Sequence, residues 1–359
     1  MEQIRAVFGM LDLMQSPAFC VQNETIVKVN TAAAPFLIEP GCNVKTLLHT
    51  GTEEYAAFEG GCLYLTLSIA GHTLGACVIR MDGVDVFTIE EERVDPQLQA
   101  LALAARELRE PLSNVMTIAD QLFPEFEAGD SKTQDKLSRI NRGLYQMLRI
   151  LGNMSDAGRY SADTGVRQEI RDICTVLDEI FHRGAVLAEH AGVTLRYAGY
   201  PESVYTLTDA PKLERTVLNI LSNALKFTPA GGCIDATLTR RGTRLYLSVR
   251  DSGSGIAENL QGNLFSRYAR QPAVEDGRHG LGLGMVLIRS TAAVHGGTVL
   301  IDQPDDTGTR ITISFAIRQG NATVRSPRMQ VDYAGERDHG LIELSDVLPA
   351  HLYRSDLIN

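Results

Sequence analysis

No apolar run in this chain approaches the roughly eighteen residues that a membrane-spanning helix needs, and the N-terminal MEQIRAVFGMLDLMQ lacks the long apolar centre of a secretory leader. A cytoplasmic setting is the expectation. Cysteine is scarce: Cys20, Cys42, Cys62, Cys77, Cys174 and Cys233 include no two at metal-binding spacing, and a reducing compartment argues against disulfides. They read as small apolar residues rather than redox sensors. The eight histidines include no His-x-x-x-His pair, so no metal site is expected apart from one that a ligand would bring. Basic charge is in deficit, 34 Lys and Arg against 44 Asp and Glu, and a net charge of −10 disfavours nonspecific binding to nucleic acid or anionic lipid. A chain of 359 residues, 44% hydrophobic, is long enough for two or three globular domains.

What the chain has is polarity concentrated within an apolar helix. In Leu213 to Lys226, LERTVLNILSNALK, the residues Asn219, Asn223 and Lys226 stand at i, i+4 and i+7 and share one face. Val217, Leu218, Ile220, Leu221, Ala224 and Leu225 make most of the rest apolar. Two carboxamides and an ammonium are costly to pack without partners, so something anionic or metal-bound should meet that face. The helix alone leaves three solvated residues on an exposed edge as the alternative. Two glycine clusters decide between them. Asp251-Ser252-Gly253-Ser254-Gly255-Ile256 follows a strand-like run, and Gly280-Leu281-Gly282-Leu283-Gly284-Met285 opens an apolar helical run, Val286 to Val294. Glycine permits close backbone approach, and a helix N-terminus offers N–H groups to phosphate oxygens. Neither cluster has the Gly-x-Gly-x-x-Gly spacing of a dinucleotide site.

In this order the three motifs resemble the ATP-binding domain shared by histidine kinases, type II topoisomerases, one class of heat-shock chaperones and mismatch-repair ATPases. The resemblance implies roles. Asn223 becomes the magnesium ligand beside the ATP phosphates, with Asn219 and Lys226 close to the phosphates. Asp251 accepts from the adenine amino group, and Gly253 and Gly255 let the backbone pass base and ribose. Gly280, Gly282 and Gly284 form the phosphate-side hinge of a lid anchored by Leu264-Phe265. Hydrolysing members carry Glu four residues before the magnesium Asn; Asn219 stands there, as in histidine kinases, which implies phosphoryl transfer rather than hydrolysis.

Residues 1–90 read as a small α/β unit: strands Ala18–Val21 and Thr25–Val29 around a Gln-Asn-Glu turn, a short helix in NTAAAPFLI, then strands Cys62–Ile69, Thr73–Arg80 and Val84–Ile89 with turns at Gly71-His72 and Asp82-Gly83. This order resembles a PAS domain, a family whose members bind small-molecule ligands or dimerise, which implies one of these roles for the unit. No flavin-attaching cysteine motif occurs, and His49 and His72 read as surface residues rather than haem ligands. Residues 91–158 carry two heptad seams: Leu98, Leu101, Ala105, Leu108, Leu112, Val115, Ala119 and Leu122, then, after Pro124 and Gly129-Asp130, Leu137, Ile140, Leu144, Met147, Leu151 and Met154. A homodimeric four-helix bundle would cover both stripes. Residues 159–317 enter and complete the ATP-binding unit, with a helix expected over Ile170–Ala191. The tail, 318–359, is open between a docked helix and a partner-binding segment.

The hairpin resembles the dimerisation and phosphoacceptor domain of histidine kinases, whose first helix reads His-Glu-Leu-Arg-Thr-Pro-Leu. The matching stretch is Arg106-Glu107-Leu108-Arg109-Glu110-Pro111-Leu112. Arg106 occupies the phosphoacceptor position. A neutral histidine has a lone pair for the γ-phosphate, whereas arginine stays protonated and only donates. Glu107, which would activate that histidine, has nothing to act on, and Glu110 removes the hydroxyl that positions water for dephosphorylating a partner.

The expected fold is α+β: a PAS-like domain, an antiparallel helical hairpin and a Bergerat-type α/β sandwich. The expected function is that of a cytoplasmic sensor histidine kinase-like protein of two-component signalling, binding ATP and Mg2+ and unable to phosphorylate itself at Arg106. Its alternatives are a non-enzymatic ATP-binding scaffold and a kinase acting on a partner's residue. Expected partners are a second copy and either a response regulator or another histidine kinase. If the chain does label itself, His182, His190 and His279 are the first acceptors to test.

Overall fold

The computed structural model describes residues 2–90, 96–126, 131–160, 168–255, 283–304, 307–318 and 337–354. Helix α1 (Glu2–Leu13) precedes strands β1 (Ala18–Gln22) and β2 (Thr25–Val29), a 3-10 turn over Thr31–Phe36, and α2 (Thr52–Ala56). Strands β3 (Cys62–Ile69), β4 (His72–Met81) and β5 (Val84–Ile89) follow, and the order β2-β1-β5-β4-β3 is antiparallel throughout. The turn expected at Gly71-His72 sits one residue earlier, whereas Asp82-Gly83 and the Asn-Glu turn lie where the sequence suggests. Ala70 and Gly71 both have positive φ, as do Asp82-Gly83 and Asn23-Glu24, the pattern of a two-residue turn matched to strand twist. His72 is thereby already in β4. Phe19 and Phe87 stack at 4.8 Å, with Tyr55 edge-on to Phe87. Buried Asn30 ties β1 to the segment after α1: its Oδ1 accepts from Ala18 N and Ala33 N at 3.0 Å each, and its Nδ2 donates to Ser16 O at 2.9 Å.

Helices α3 (Pro96–Phe126) and α4 (Ser131–Tyr160) pack as a hairpin; Pro124 does not end the first, which runs to Phe126. The structure splits each expected seam in two. Ala105, Leu112, Met116, Ala119 and Phe123 are buried against Leu144, Tyr145, Leu148, Leu151 and Met154. Leu108, Val115, Ile118, Leu122, Ile140 and Met147 face solvent. Leu144 is therefore an interior residue of the hairpin and not part of the outward stripe. The outward positions repeat at seven-residue spacing (108, 115, 122 and 140, 147), which is a coiled-coil seam rather than scattered exposure.

The helix expected over Ile170–Ala191 instead starts at Ile173: strand β6 (Glu169–Asp172) precedes α5 (Ile173–His190), because Asp172 takes the N-cap, accepting from Cys174 N at 3.2 Å. Strands β7 (Thr194–Ala198) and β8 (Tyr205–Thr208), helix α6 (Ala210–Phe227), strands β9 (Cys233–Arg241) and β10 (Arg244–Asp251), helix α7 (Gly284–Val294) and strands β11 (Val299–Asp302) and β12 (Arg310–Ala316) complete the second sheet region. β6 and β8 form a separate pair. The remaining strands run β11-β12-β10-β9-β7, with β7 and β9 parallel.

The two sheets are one. β3 pairs antiparallel with β11, Tyr64 opposite Val299 and Cys62 opposite Ile301, giving ten continuous strands. Gly61 makes the approach possible: at φ +87, a Cβ there would lie 2.3 Å from Ile301 O. Glu54 pairs with Arg244 at 2.7 Å, and buried Arg289 of α7 pairs with Glu90 and lies over the Tyr64 ring. The sheet edge of the N-terminal unit is thereby covered.

Candidate functional site

Helix α6 starts on Asp209, whose Oδ1 accepts from Lys212 N, and buries Leu213, Val217, Ile220, Leu221 and Leu225. Its polar face turns toward α7. Asn219 is 2% exposed, donates Nδ2 to Arg215 O at 2.9 Å, and presents Oδ1 to the first turn of α7, 3.3 Å from where a Cβ on Gly284 would be. Any larger residue at 284 would press on that carboxamide. The N-cap residue of α7, Leu283, has no side-chain acceptor for the helix's first N–H groups. Asn223 and Lys226 continue the same face, both half-buried. Thr216 and Thr291 join the two helices through their hydroxyls at 2.8 Å.

Asp251 ends β10 close to the C-terminal end of α6. It is 8% exposed, and its Oδ1 accepts from Gly253 N at 2.9 Å and Thr309 N at 3.2 Å. Burial raises its carboxyl pKa, opposed by those two main-chain donors. The structure thus holds a dry carboxylate with one oxygen occupied by the backbone. The loop beside it is pinned: Ser252 Oγ accepts from Cys233 N, and Gly308 N donates to Gly253 O at 2.8 Å. A Cβ on Gly253 would lie 2.6 Å from Phe227 O, at the last residue of α6, so glycine is needed for strand end and helix end to meet. Gly255 has φ +76. Gly308-Thr309 was not singled out in the sequence, although a Gly-Thr pair entering a strand marks a backbone donor beside a turn.

Gly280, Gly282, Leu264-Phe265 and His279 lie outside the described residues. Arg106 and Glu107 are exposed on α3, Arg109 is half-buried, and Leu112 points inward. His182 and His190 are exposed on α5. Among the described residues no three His, Cys, Asp or Glu gather as a metal cage. Cys62 and Cys77 are free thiols whose sulfurs meet at 2.7 Å in the core.

Sequence reasoning also passed over His295, 2% exposed between the end of α7 and the start of α6. Its Nδ1–H donates to Thr291 O at 2.8 Å, and its Nε2 accepts from Asp209 N at 3.1 Å. Acceptance at Nε2 requires the neutral ring, and burial lowers its pKa.

Residues 208–319 match the family of histidine kinase-, DNA gyrase B-, and HSP90-like ATPases. Among curated proteins the chain is 28% identical over 248 residues to the sensor-like histidine kinase SenX3 of Mycobacterium tuberculosis, covering 67% of this chain and 58% of that protein. It is 27% identical over 237 residues to the histidine protein kinase DivJ of Caulobacter vibrioides (64% of this chain, 40% of DivJ) and 24% identical over 236 residues to histidine kinase P4 of Formosa agariphila (64% and 17%). The chain therefore spans well under two thirds of the length of these relatives. Among solved structures, full-length ShkA in complex with AMPPNP aligns with a TM-score of 0.50 at 23% identity, over 62% of this chain and 46% of that one, a likeness of fold. No described helix is long and apolar enough to cross a membrane. Residues 208–319 thus carry an ATPase domain of the histidine kinase-, DNA gyrase B- and HSP90-like family, within a chain similar to sensor histidine kinases.

Proposed function

We propose that the chain binds Mg-ATP in the space bounded by the Asn219–Lys226 face of α6, the N-terminus of α7 and Asp251, and serves in two-component signalling without phosphorylating itself at its hairpin. The observation that carries the nucleotide reading is Asp251: a buried carboxylate aligned by two main-chain N–H groups, at the end of a polar helix face. Such an acceptor suits the adenine amino group, and guanine has an oxygen at that position. The ShkA structure holding AMPPNP supports the same reading. With no acidic cage among the described residues, a magnesium ion would arrive with the phosphates, and the half-buried Asn223 would complete its oxygen shell. Magnesium would neutralise phosphate charge there. Asn219, placed where a hydrolysing enzyme has Glu, offers no base to activate water, so the site favours holding ATP for transfer. We further propose residues 1–90 as a PAS-like sensor, 91–158 as the dimerising hairpin, 159–317 as the nucleotide-binding unit and the cytoplasm as its setting.

Calorimetric titration of the purified chain with Mg-ATP tests the reading. Binding is expected, with Mg-GTP weaker, and Asp251→Asn should weaken ATP by about ten- to a hundredfold, since the amide turns a donor toward a donor. Absence of heat with the wild type would remove the nucleotide reading altogether.

Arg106 also favours a second reading, in which nucleotide only biases the conformation of a scaffold. Addition of labelled ATP with partner histidine kinases or response regulators separates it from a kinase acting in trans: only the latter transfers phosphate.

The outward stripe of the hairpin supports a homodimer. Leu108→Glu with Met147→Glu should convert a dimer into a monomer at micromolar concentration while leaving the intrachain core intact, because both residues face solvent in the single chain. Light scattering reads the mass directly. A wild-type monomer would refute the dimer.

A further inference from the structure

The tail is not an appendage. Helix α8 (His339–Glu343) and the 3-10 turn Ala350–Tyr353 lie against α4 of the hairpin and α6 of the ATPase domain, and Ile342, Leu344, Leu348 and Tyr353 are fully buried in the core those helices share. Glu343 is the centre of the contact, with no exposed surface. One of its oxygens accepts from Arg215 Nε of α6 at 3.0 Å, and the other lies 3.5 Å from Arg149 Nε of α4. Arg149 also reaches Asp346 at 2.5 Å and donates to Ser222 Oγ of α6 at 3.0 Å. Arg215 also pairs with Asp156 and donates to Asn153 Oδ1 at 2.8 Å, both on α4. Around this centre, Asn141 Nδ2 donates to Tyr353 O at 2.8 Å, and Arg142 donates to Ser345 O and Asp346 O.

One arginine from each helix thus shares a single buried carboxylate that belongs to neither. Without Glu343, Arg149 and Arg215 would meet across the α4–α6 contact as two like charges with less compensation, an arrangement that burial penalises heavily. The tail carboxylate joins these helices from a third element, beside the direct Arg215–Asp156 and Arg149–Ser222 contacts between them. Removing one partner of such a buried set strands the other charge, so loss of Glu343 should loosen both helices together. The helix it grips, α6, also carries Asn219 and Asn223.

We propose that residues 337–354 are an intramolecular clamp that holds the hairpin's second helix against α6 and fixes the ATPase domain in place until the tail is released. The clamp stands on packing and charge alone and does not depend on nucleotide binding.

Hydrogen exchange followed by mass spectrometry on the full chain, without nucleotide, tests it. Two variants are compared with wild type: Glu343→Gln, which removes the shared charge, and Asn141→Ala, which frees the last turn without unpairing an ion. In both, amides of 339–353 should exchange about tenfold faster, and segments 138–154 and 211–222 should lose protection with them. The strands of residues 18–89 should not change. Should Glu343→Gln loosen those strands too, it has disturbed the whole fold and Asn141→Ala alone decides. A tail that exchanges faster over unchanged α4 and α6 would be a passenger, and a tail that stays protected in Asn141→Ala would show no releasable contact; either result overturns the clamp.

Discussion

Arg106→His should gain acid-labile phosphate from Mg-ATP where the wild-type chain gains none. The effect is all-or-none, because an arginine side chain has no lone pair to attack the γ-phosphate and a neutral imidazole does. Position 106 is exposed on α3. Glu107 follows it, able to hold the new ring in the tautomer whose other nitrogen is nucleophilic. Asn223→Ala in that background should abolish the label by removing the proposed magnesium ligand. If Arg106→His binds ATP yet stays unlabelled, adding Asn141→Ala distinguishes two causes. Label that appears only in the double variant means that the clamp, by fixing the ATPase domain against α4, kept it from position 106. No label in either means that the hairpin lost more than one side chain. Labelling of the unmodified chain would refute the loss at Arg106 and move the search to His182, His190 and His279.

Motifs that act through local spacing were legible in the sequence; arrangements that need a distant partner were not. Asn219 and Asn223 share a face because helical spacing places them there, and Asp251 meets Gly253 through a bond two residues long. Strands 62–69 and 84–89 could be read from their turns alone. The heptads were equally visible, but two interleaved seams look alike in one dimension. Only packing tells Leu112 and Leu144, turned into the hairpin, from Leu108 and Met147, turned out of it. Pairing of β3 with β11 was invisible for a different reason: residues 62–64 and 299–301 are separated by the whole hairpin, and the cue that admits the contact is one glycine, Gly61. Glu343 was hidden most completely. Ile-Glu-Leu-Ser-Asp reads as an exposed acidic turn, and its burial follows from arginines some 130 and 190 residues earlier in the sequence. Local chemistry thus marked the candidate site, while the contacts that connect it to the other units had to be seen.

His295 gives the second large effect, on stability against pH. Its folded pKa is lowered, chiefly by burial, with Lys212 and Arg318 adding to the shift and the Thr291 carbonyl and Asp209 opposing it. In the unfolded chain the ring titrates near its usual pKa of about 6.5. A lowered value means that the unfolded state binds the extra proton first, so the contribution of neutral His295 is complete above that pH. It is lost as pH falls below about 6.5, at up to roughly 1.4 kcal/mol per pH unit until the folded pKa is reached. The proton would have to sit on Nε2, where Asp209 N–H already points, so charging the ring breaks the bond that ties the start of α6 to the end of α7. Denaturant midpoints measured from pH 8 to pH 5 should fall below pH 6.5 in the wild type. Asp172 and Glu214, held below the usual carboxylate range, lose their contributions at lower pH, while Asp251, raised by burial, acts in the opposite direction, so the comparison with a His295 variant isolates the histidine. His295→Gln should be less stable at pH 8 by about 1–3 kcal/mol, having a shorter side chain with which to span the same two groups, and should be flatter between pH 7 and pH 5. Equal slopes for the variant and the wild type across that window would remove His295 as the cause.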